Sequence, residues 1–433
     1  MAEIAPFRAL RYDSTRVPLA QVVTQPYDKI TPQMQEHYYA ASPYNLVRII
    51  LGQRETADHD RQNVYTRAAG WFQDWRRQGI FLQDPQPSIY SYSQTFTTPG
   101  SSGQVERTGF IAVGRLEDYS AGVVFRHEQT LAQPKADRLN LLRATRAHFG
   151  QLFMLYSGSG EIESLLTAST SPDLEVEDEY QVRHRVWRIS DPAVIDLVRG
   201  QMRDQRLIIA DGHHRYETAL AYRDERRAAE TASPSEAAPY ERVMMTFVNM
   251  NSPGLVILPT HRVVHSLAHL AADAFHAATL AHFRVEEVDP ACDAARAAGL
   301  LREAGRMGTA LLAVTATRNF LLHSPKSTGS QLFSGFSLRQ QSLDVVQLHQ
   351  CMLENVLGLS EESIRNQHNL SYLRDAGEAM ARVRAGGANV AFLMNPVRIE
   401  QVRDLAFAGE VLPQKSTDFY PKLLSGLTIY ALD

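Results

Sequence analysis

The chain has 433 residues, of which 44% are hydrophobic and 21% are charged. This length and balance indicate two or three folded domains and exclude a disordered or fibrous protein. Lys and Arg number 44 against 48 Asp and Glu, so the net charge of -4 provides no general basic surface for nucleic acid or an anionic membrane.

The cysteine content and the hydropathy of the chain indicate the cellular compartment. The only cysteines, Cys292 and Cys351, are far apart, which excludes a disulfide framework and a cysteine-rich zinc site. No apolar run approaches the ~20 residues that span a bilayer, and the N-terminus lacks the pattern of a signal peptide. We therefore expect a cytoplasmic protein with no membrane partner.

The first region, residues 1–125, is predicted to mix strands and helices. The apolar run of residues 45–52 indicates a strand, and apolar side chains at helical spacing in residues 58–78 indicate a helix. Alternation in residues 88–96, a Gly/Pro/Ser-rich turn and a second run at residues 108–116 predict a β-hairpin.

The second and third regions, residues 126–265 and 266–433, alternate strands with helices, which predicts a mixed α/β fold. In the second, we expect strands at residues 151–156, 181–189, 206–210 and 243–249, and helices from about residue 136 and at 191–203 and 213–230. In the third, we expect strands at residues 310–316, 320–323 and 389–395, and helices at 266–281, 344–357, 376–384 and 396–407.

The sharpest motif is Asp211-Gly212-His213-His214-Arg215, which follows an apolar strand and opens a helix. Glycine permits close backbone approach, and the N-terminus of a helix attracts anions. Arginine offers a planar fork for phosphate oxygens, while histidine and aspartate can move protons or bind a metal. The motif therefore predicts a catalytic and phosphate-binding turn. The alternative is a capped helix whose histidines are merely solvated.

A second motif surrounds His127 and Glu128. The glutamate lies among cations and could act as a general base or a metal ligand, and His127 could contact substrate. Lys135 and Arg138, a few residues later, could bind phosphate. The alternative is a solvated helix face in which these cations pair with carboxylates.

Three further segments carry polar groups of the same kinds. Lys415-Ser416-Thr417 near the C-terminus could clamp an anion, although the glycines of a Walker loop are absent. His261-Arg262 follows a predicted strand and could line a substrate cleft. Asp28 in a Pro-Tyr-Asp turn could reach the same place. A polar surface tail and turn capping are the alternatives.

The turn at Asp211 resembles the phosphate-binding turn of the ParB/sulfiredoxin superfamily. Together with the Asp28, His127, Lys135, His261 and Lys415 segments, it is similar to a bacterial and archaeal family described as a ParB-like (SpoOJ/ParB/RepB-type) domain of unknown function. This resemblance extends over nearly the whole chain. It implies a ParB/sulfiredoxin-like core at residues 126–265 with additional α/β regions before and after it.

Within that superfamily, the turn also resembles the free serine kinases. That likeness implies transfer of phosphate from ATP, ADP or pyrophosphate to the hydroxyl of L-serine or a similar metabolite, with Mg²⁺ bound through Asp211. Residues 211–215 match the shared motif; Glu128 is proposed as the base from its chemistry alone. Sulfiredoxin chemistry would need a cysteine in the turn, and partition proteins a basic DNA-binding face; neither is found.

The leading hypothesis is thus a small-molecule phosphotransferase with no nucleic-acid partner. The alternatives are a phosphatase or nucleotide hydrolase, and a nucleotide-dependent DNA-binding switch. The hypothesis expects the segments around His127, Asp211, His261 and Lys415 to line one cleft, because phosphoryl transfer depends on positioning and on stabilising charge.

Overall fold

The computed structural model describes residues 1–128, 132–167, 170–230, 238–268, 270–326 and 331–433, and the side chains of residues 132–134 are not considered. The described residues group into two compact units. Unit 1 draws on residues 1–126, 130–256 and 419–433, and unit 2 on 127–129 and 257–418. The three-region division made from the sequence stays a prediction.

Unit 1 is built on a mixed sheet, here called the main sheet. Eight of its nine strands follow in the spatial order Val124–Phe125, Leu207–Asp211, Leu152–Tyr156, Arg242–Asn249, Gln104–Arg115, Ile89–Thr97, Arg183–Ile189 and Leu174–Glu177, and Ile4–Ala5 pairs with Gln104–Arg115. Leu207–Asp211 runs antiparallel to Leu152–Tyr156, which runs parallel to Arg242–Asn249. The predicted hairpin is confirmed, because Ile89–Thr97 pairs antiparallel with Gln104–Arg115.

The remaining elements of unit 1 are helices and short strand pairs. The helices are Pro32–Ala41, Val47–Ile50, Val64–Arg77, Ala132–Thr145, Glu161–Leu165, Pro192–Met202 and His213–Ala229, with short 3₁₀ turns at Leu19–Gln21, Tyr27–Lys29, Tyr119–Ala121 and Pro239–Glu241. Leu10–Tyr12 pairs with Phe81–Gln83, and Ala147–His148 pairs with Tyr430–Ala431.

Local sequence explains why two of these helices begin where they do. The Asn63 side chain accepts from the amides of Tyr65 and Thr66 and so caps Val64–Arg77. Asp191 caps Pro192–Met202 in the same way, with proline in the first turn. All five residues of Leu152–Tyr156 are buried, which explains the continuous apolar run there.

The strand predicted at residues 45–52 is wrong, because Val47–Ile50 is a short helix. Asn45 causes the difference. Its side-chain oxygen accepts from the Val47 amide at 2.9 Å, and its side-chain nitrogen donates to the Gln21 carbonyl at 2.8 Å. A short helix with three buried apolar side chains gives the same sequence pattern as a short strand.

Unit 2 contains a six-stranded sheet. Its spatial order is Arg284–Val288, Asn319–His323, Ala310–Thr315, Val390–Met394, His261–Val264 and Leu370–Leu373. Apolar side chains from both faces of this sheet form two buried clusters. The strands predicted near residues 310, 320 and 390 are confirmed.

The helices of unit 2 match the predictions unevenly. They are Ala272–Thr279, Ala294–Gly305, Leu338–Gln341, Asp344–Gln347, Leu348–Val356, Glu361–Arg365, Ala376–Arg384 and Ile399–Phe407, with a 3₁₀ turn at Gln331–Phe333. Leu348–Val356 is a π-helix that continues Asp344–Gln347. The helix expected over residues 266–281 is reduced to Ala272–Thr279. Two short strands, Val256–Leu258 and Asp418–Tyr420, lie where the chain passes between units.

The mixed α/β class is confirmed, and the ParB/sulfiredoxin-like core stays a prediction. Among the helices in the described part of the chain, none combines the length and apolar character needed to cross a membrane.

We expect Asn45→Ala to lower the free energy of unfolding by about 2 kcal/mol, because it removes the partner of the buried Val47 amide and of the Gln21 carbonyl. Urea denaturation followed by tryptophan fluorescence measures the effect, since the buried Trp75 belongs to the same unit. An unchanged midpoint and slope would contradict the stabilising role assigned to the Asn45 hydrogen bonds.

Candidate functional site

The predicted turn connects a buried strand to the longest helix in the described part of unit 1. Leu207–Asp211 ends at Gly212, which has φ = 99°, and His213–Ala229, here called the site helix, follows directly. A Cβ at Gly212 would lie 2.9 Å from Leu152 Cδ2 and 3.0 Å from Arg215 Nη2. Glycine is therefore required both by the backbone conformation and by the close packing.

Asp211 is held by one cation of its own turn and one from the C-terminal segment of unit 1. Arg215 Nη2 lies 3.2 Å from Asp211 Oδ2, and Lys422 Nζ lies 3.7 Å from Asp211 Oδ1. Burial alone would raise the pKa of Asp211, but Lys422, Arg215 and Lys29 outweigh it and hold the pKa well below its usual range. Asp211 therefore stays ionised and cannot serve as a general acid near neutral pH.

Arg215 belongs to both the turn and a neighbouring cleft. Its Nη1 donates to the Gln151 carbonyl while its Nη2 contacts Asp211. It also lines a cleft of about 610 Å³, including open solvent at the mouth. The wall is largely apolar, with Leu142, Phe149 and Leu152 among its residues. Arg138 also belongs to the lining, and such a combination of a few charged groups with an apolar wall is typical of small-molecule sites.

A buried arginine holds the segment that carries Lys422. Arg107 is 1% exposed, and its guanidinium donates to the carbonyls of Tyr420 at 3.0 Å and Pro421 at 2.5 Å and to the Gln94 side-chain oxygen. Gln94 Nε2 in turn donates to the Lys422 carbonyl at 2.9 Å. Burial lowers the pKa of Arg107 to about 10. The three successive carbonyls fix the backbone from which Lys422 reaches Asp211.

A buried chain of polar groups continues behind Gln94. His184 Nδ1 lies 2.7 Å from the Tyr92 hydroxyl, and its Nε2 lies 3.2 Å from Asp178 Oδ2. Gln25 Nε2 also donates to Asp178 at 2.9 Å. Burial alone would raise the pKa of Asp178, but the hydrogen bond and charge of His184, together with hydrogen bonds from the Val182 and Tyr180 amides, outweigh it and lower the pKa. These bonds restrict the surroundings of Gln94 and Arg107.

The other residues predicted in unit 1 have varied surroundings. His213 is buried, His214 is half-buried and Asp28 is exposed in its 3₁₀ turn. Lys135 forms an ion pair with Glu217 on the site helix. Arg138 bonds to Asp137 and the Ile50 carbonyl, with its guanidinium 4.1 Å from the centre of the Tyr27 ring, and it lines the cleft with Arg215.

In unit 2, His127 and Glu128 bind the C-terminal segment of that unit. Glu128 Oε1 accepts from the Thr417 amide at 3.1 Å and from its hydroxyl at 2.9 Å, and His127 Nε2 lies 2.8 Å from the same hydroxyl. Since the hydroxyl donates to Glu128, His127 must donate through its Nε2–H tautomer. The predicted base is therefore joined to the predicted phosphate-binding Thr417. Gln129 and Thr130 lie outside the described residues.

Arg262 is the most buried cation predicted in unit 2. It is 1% exposed, its Nη2 donates to the Lys415 carbonyl at 3.2 Å, and burial lowers its pKa to about 10. His261 accepts from the Met394 amide, and burial together with Arg262 lowers its pKa to about 4. Lys415 itself is exposed, whereas Ser416 is buried and donates to the Pro413 carbonyl at 2.6 Å.

The structure thus assembles two groups of predicted residues. Unit 1 brings Asp211, Gly212 and Arg215 together, and unit 2 brings His127 and Glu128 to Thr417 and Lys415 to Arg262. The single cleft expected from the sequence stays a prediction.

The surroundings of Asp211 do not suit its predicted role as a metal ligand. Its carboxylate is paired with Arg215 and Lys422, and cations at this distance oppose a divalent ion. Across the described ranges, no cluster of three His, Cys, Asp or Glu side chains could hold a metal. We therefore assign the charge-neutralising role at this turn to the side chains and derive no step through Mg²⁺.

Sequence reasoning missed Arg107, Gln94 and Lys29. Lys422 follows Lys415 in the C-terminal segment, but its sequence context gives no sign that it reaches Asp211. The signal for Arg107 and Gln94 was partial: Gln94 interrupts the apolar residues of the first predicted strand, Arg107 immediately precedes the second, and the two pair directly across the hairpin. Polar residues at such positions indicate a buried hydrogen-bond network.

The family model described as protein of unknown function, DUF1015, matches residues 4–346, so the chain belongs to that family. No curated protein is significantly similar to the chain in sequence.

Solved structures give weak likenesses. A conserved hypothetical protein from Pyrococcus furiosus has 13% identity and a TM-score of 0.36, over 71% of this chain and 91% of its own. A free serine kinase variant in complex with AMP has 11% identity and a TM-score of 0.36, over 70% and 89%. A C-terminally truncated SbnI from Staphylococcus aureus has 10% identity and a TM-score of 0.36, over 74% and 87%. At these values the likenesses assign no activity.

The lowered pKa of Asp211 predicts a pH-dependent contribution to stability. A carboxyl whose pKa is lower in the folded than in the unfolded chain stabilises the fold above its unfolded pKa of about 3.9, and this contribution is lost as pH falls below that value. We expect Asp211→Asn to be less stable than the parent at pH 7, with the difference shrinking below about pH 4.

Urea unfolding at pH 7, 5 and 3.5 measures this difference. Asp196→Asn, on the outer side of another helix of unit 1, is the matched control. A difference that stays constant with pH, or an Asp211→Asn variant as stable as the parent at pH 7, would show that the ion pairs contribute nothing.

Proposed function

We propose that this DUF1015 protein is a small-molecule phosphotransferase whose unit 1 binds the phosphates of a nucleotide or pyrophosphate at the turn of residues 211–215. The observation that carries the proposal is the position of Arg215. Its guanidinium contacts Asp211 at the start of the site helix and also lines the apolar cleft. A phosphate bound at the turn would thus adjoin a space for the rest of the donor.

The charges at the turn favour an anionic ligand. Lys422, Arg215 and Lys29 act on the single carboxylate of Asp211, so cations exceed anions there. The first amides of a helix have no acceptor within it, and its macrodipole adds positive potential at the same end. Gly212 presents no side chain that would keep a phosphate away from these amides.

These groups suit phosphoryl transfer, which depends mainly on positioning and charge stabilisation. The acceptor hydroxyl oxygen forms a bond to the transferred phosphorus, the bond from phosphorus to the donor oxygen breaks, and the hydroxyl proton passes to a base. Lys422 and Arg215 stabilise the charge on the phosphoryl group and the leaving group. Free L-serine as acceptor rests on the resemblance in sequence alone.

The cleft favours a nucleotide over pyrophosphate as donor. Its apolar wall would contact the base or ribose of a nucleotide, which pyrophosphate lacks. Thr218 Oγ1 also belongs to this lining and is buried without a hydrogen-bond partner among the described residues. A polar group of the donor would satisfy it.

We expect Arg215→Ala to weaken ADP binding by about 10- to 100-fold, because a charge-assisted contact contributes about 1.5–3 kcal/mol. Isothermal titration of ADP and of pyrophosphate into parent and variant gives both affinities. Arg199→Ala is the matched control, since this arginine pairs with Asp196 on another helix. Equal affinity in a folded Arg215→Ala variant would remove Arg215 from the phosphate site.

The reaction itself is tested with purified protein, ATP, ADP or pyrophosphate, and a panel of hydroxylated metabolites that includes L-serine, analysed by mass spectrometry. A phosphorylated metabolite formed as the donor is consumed supports the proposal. Inorganic phosphate released with no phosphorylated acceptor would favour the hydrolase. Absence of both donor binding and turnover would overturn the proposal.

Glu128 is the predicted base for this reaction. Glu128→Gln keeps the shape and most hydrogen bonds but removes the basicity, so we expect turnover to fall by about 10²–10⁴-fold with ADP affinity unchanged. Melting temperature is measured as well, because Glu128 also binds Thr417. Glu410→Gln, which alters a different carboxylate in unit 2, is the control. Turnover at the parent rate would exclude Glu128 as the base.

A further inference from the structure

A second cavity in unit 1 lies on the face of the main sheet opposite Arg107 and Gln94. Successive side chains of a strand point to opposite faces, so Ser91 and Ser93 face away from Gln94. In the register of the sheet, Ser91 pairs with Phe110 and with Trp187, and Ser93 pairs with Thr108. These side chains are part of the lining of a space of about 840 Å³, including its open mouth.

The floor of this cavity is unusual for the middle of a sheet. Ser91, Ser93 and Thr108 are small hydroxyl residues where larger apolar side chains would fill the space. Phe110, Ile162 and Leu166 of the buried core lie beside them. Small polar residues therefore leave a cavity next to a well-packed core, where voids are normally few.

Two carboxylates give the cavity its charge. Glu163 Oε1 accepts from the hydroxyl of the buried Tyr156 at 2.5 Å, and Glu106 Oε1 accepts from Ser93 Oγ at 2.6 Å. Glu163 Oε2 is inaccessible to solvent and has no hydrogen-bond partner among the described residues. The lining residues that the structure describes include no Lys, Arg or His.

An unpartnered carboxylate oxygen in such a place is costly, and a cation would remove the cost. The torsion that orients a terminal carboxylate is soft, so a small rotation presents Glu163 Oε2 to a ligand in the cavity. The hydroxyls of Ser91 and Thr108 could accept further hydrogens from an ammonium group. The aromatic rings of Trp187 and Tyr156 also favour an organic cation.

We propose that this cavity binds a small aliphatic amine in its ammonium form. The two carboxylates would bind the ammonium, and Phe110, Ile162 and Leu166 would contact the alkyl chain. An organic cation fits better than a metal ion, because the described residues offer no third carboxylate, His or Cys to complete a metal site here. The proposal is independent of the phosphotransferase assignment, since none of these residues lines the cleft beside Arg215.

Putrescine is the test probe, titrated into the full chain with sodium chloride at matched ionic strength as the reference. We expect a saturable change in tryptophan fluorescence that Trp187→Phe abolishes, since the other tryptophans are Trp71 and Trp75. Glu163→Gln should weaken binding at least tenfold. Glu161→Gln changes a carboxylate on the same helix that accepts instead from Gln201, and it should bind as the parent does.

Melting temperatures of each variant with and without putrescine show whether the variant folds and whether it binds the amine. Without putrescine, Glu163→Gln should melt at or above the parent temperature, because the unpartnered charge is removed. With putrescine, the melting temperature of the parent should rise and that of Glu163→Gln should not; Glu106→Gln should show a reduced rise. Equal stabilisation of parent and Glu163→Gln, the same effect from sodium chloride, or no saturable binding at millimolar putrescine would overturn the proposal.

Discussion

The ion pairs of Asp211 are the constraint on which the rest of the unit 1 site depends. They join a strand end, the first turn of the site helix and a C-terminal segment more than two hundred residues away. The cations around Asp211 repel one another, and the negative charge of its carboxylate offsets this repulsion. The arrangement leaves an excess of positive charge beside a helix N-terminus, and this excess is what a phosphate group would use.

The second requirement is a rigid backbone behind Lys422. A lysine side chain loses considerable conformational entropy when it is held in one place, so its main chain must be well fixed. Arg107 supplies this by donating to two successive carbonyls, and Gln94 donates to the third. Burying a guanidinium with carbonyl partners, and with no carboxylate among the described residues, costs solvation free energy. Such a cost is common where a site needs a fixed geometry.

Unit 2 uses the same device in a different place. Arg262 is as buried as Arg107 and donates to the Lys415 carbonyl, while His127 and Glu128 hold Thr417 through its hydroxyl and amide. In both units, a buried cation from a strand fixes main-chain carbonyls of a segment late in the chain. The groups predicted from single motifs thus depend on hydrogen bonds to carbonyls and hydroxyls of segments that are distant in the sequence.

The sequence by itself determined the mixed α/β class, most helices and strands, and the turn of residues 211–215, because these follow from periodicity, glycine and local capping. It failed at residues 45–52, where the Asn45 side chain bonds to the Val47 amide in a turn and the apolar run that follows is a short helix. It also could not identify Arg107 as the residue that fixes Lys422, or reveal the pairing of Lys135 with Glu217. Those assignments depend on which strands and which helices become neighbours, and that is a long-range property that only the tertiary structure decided.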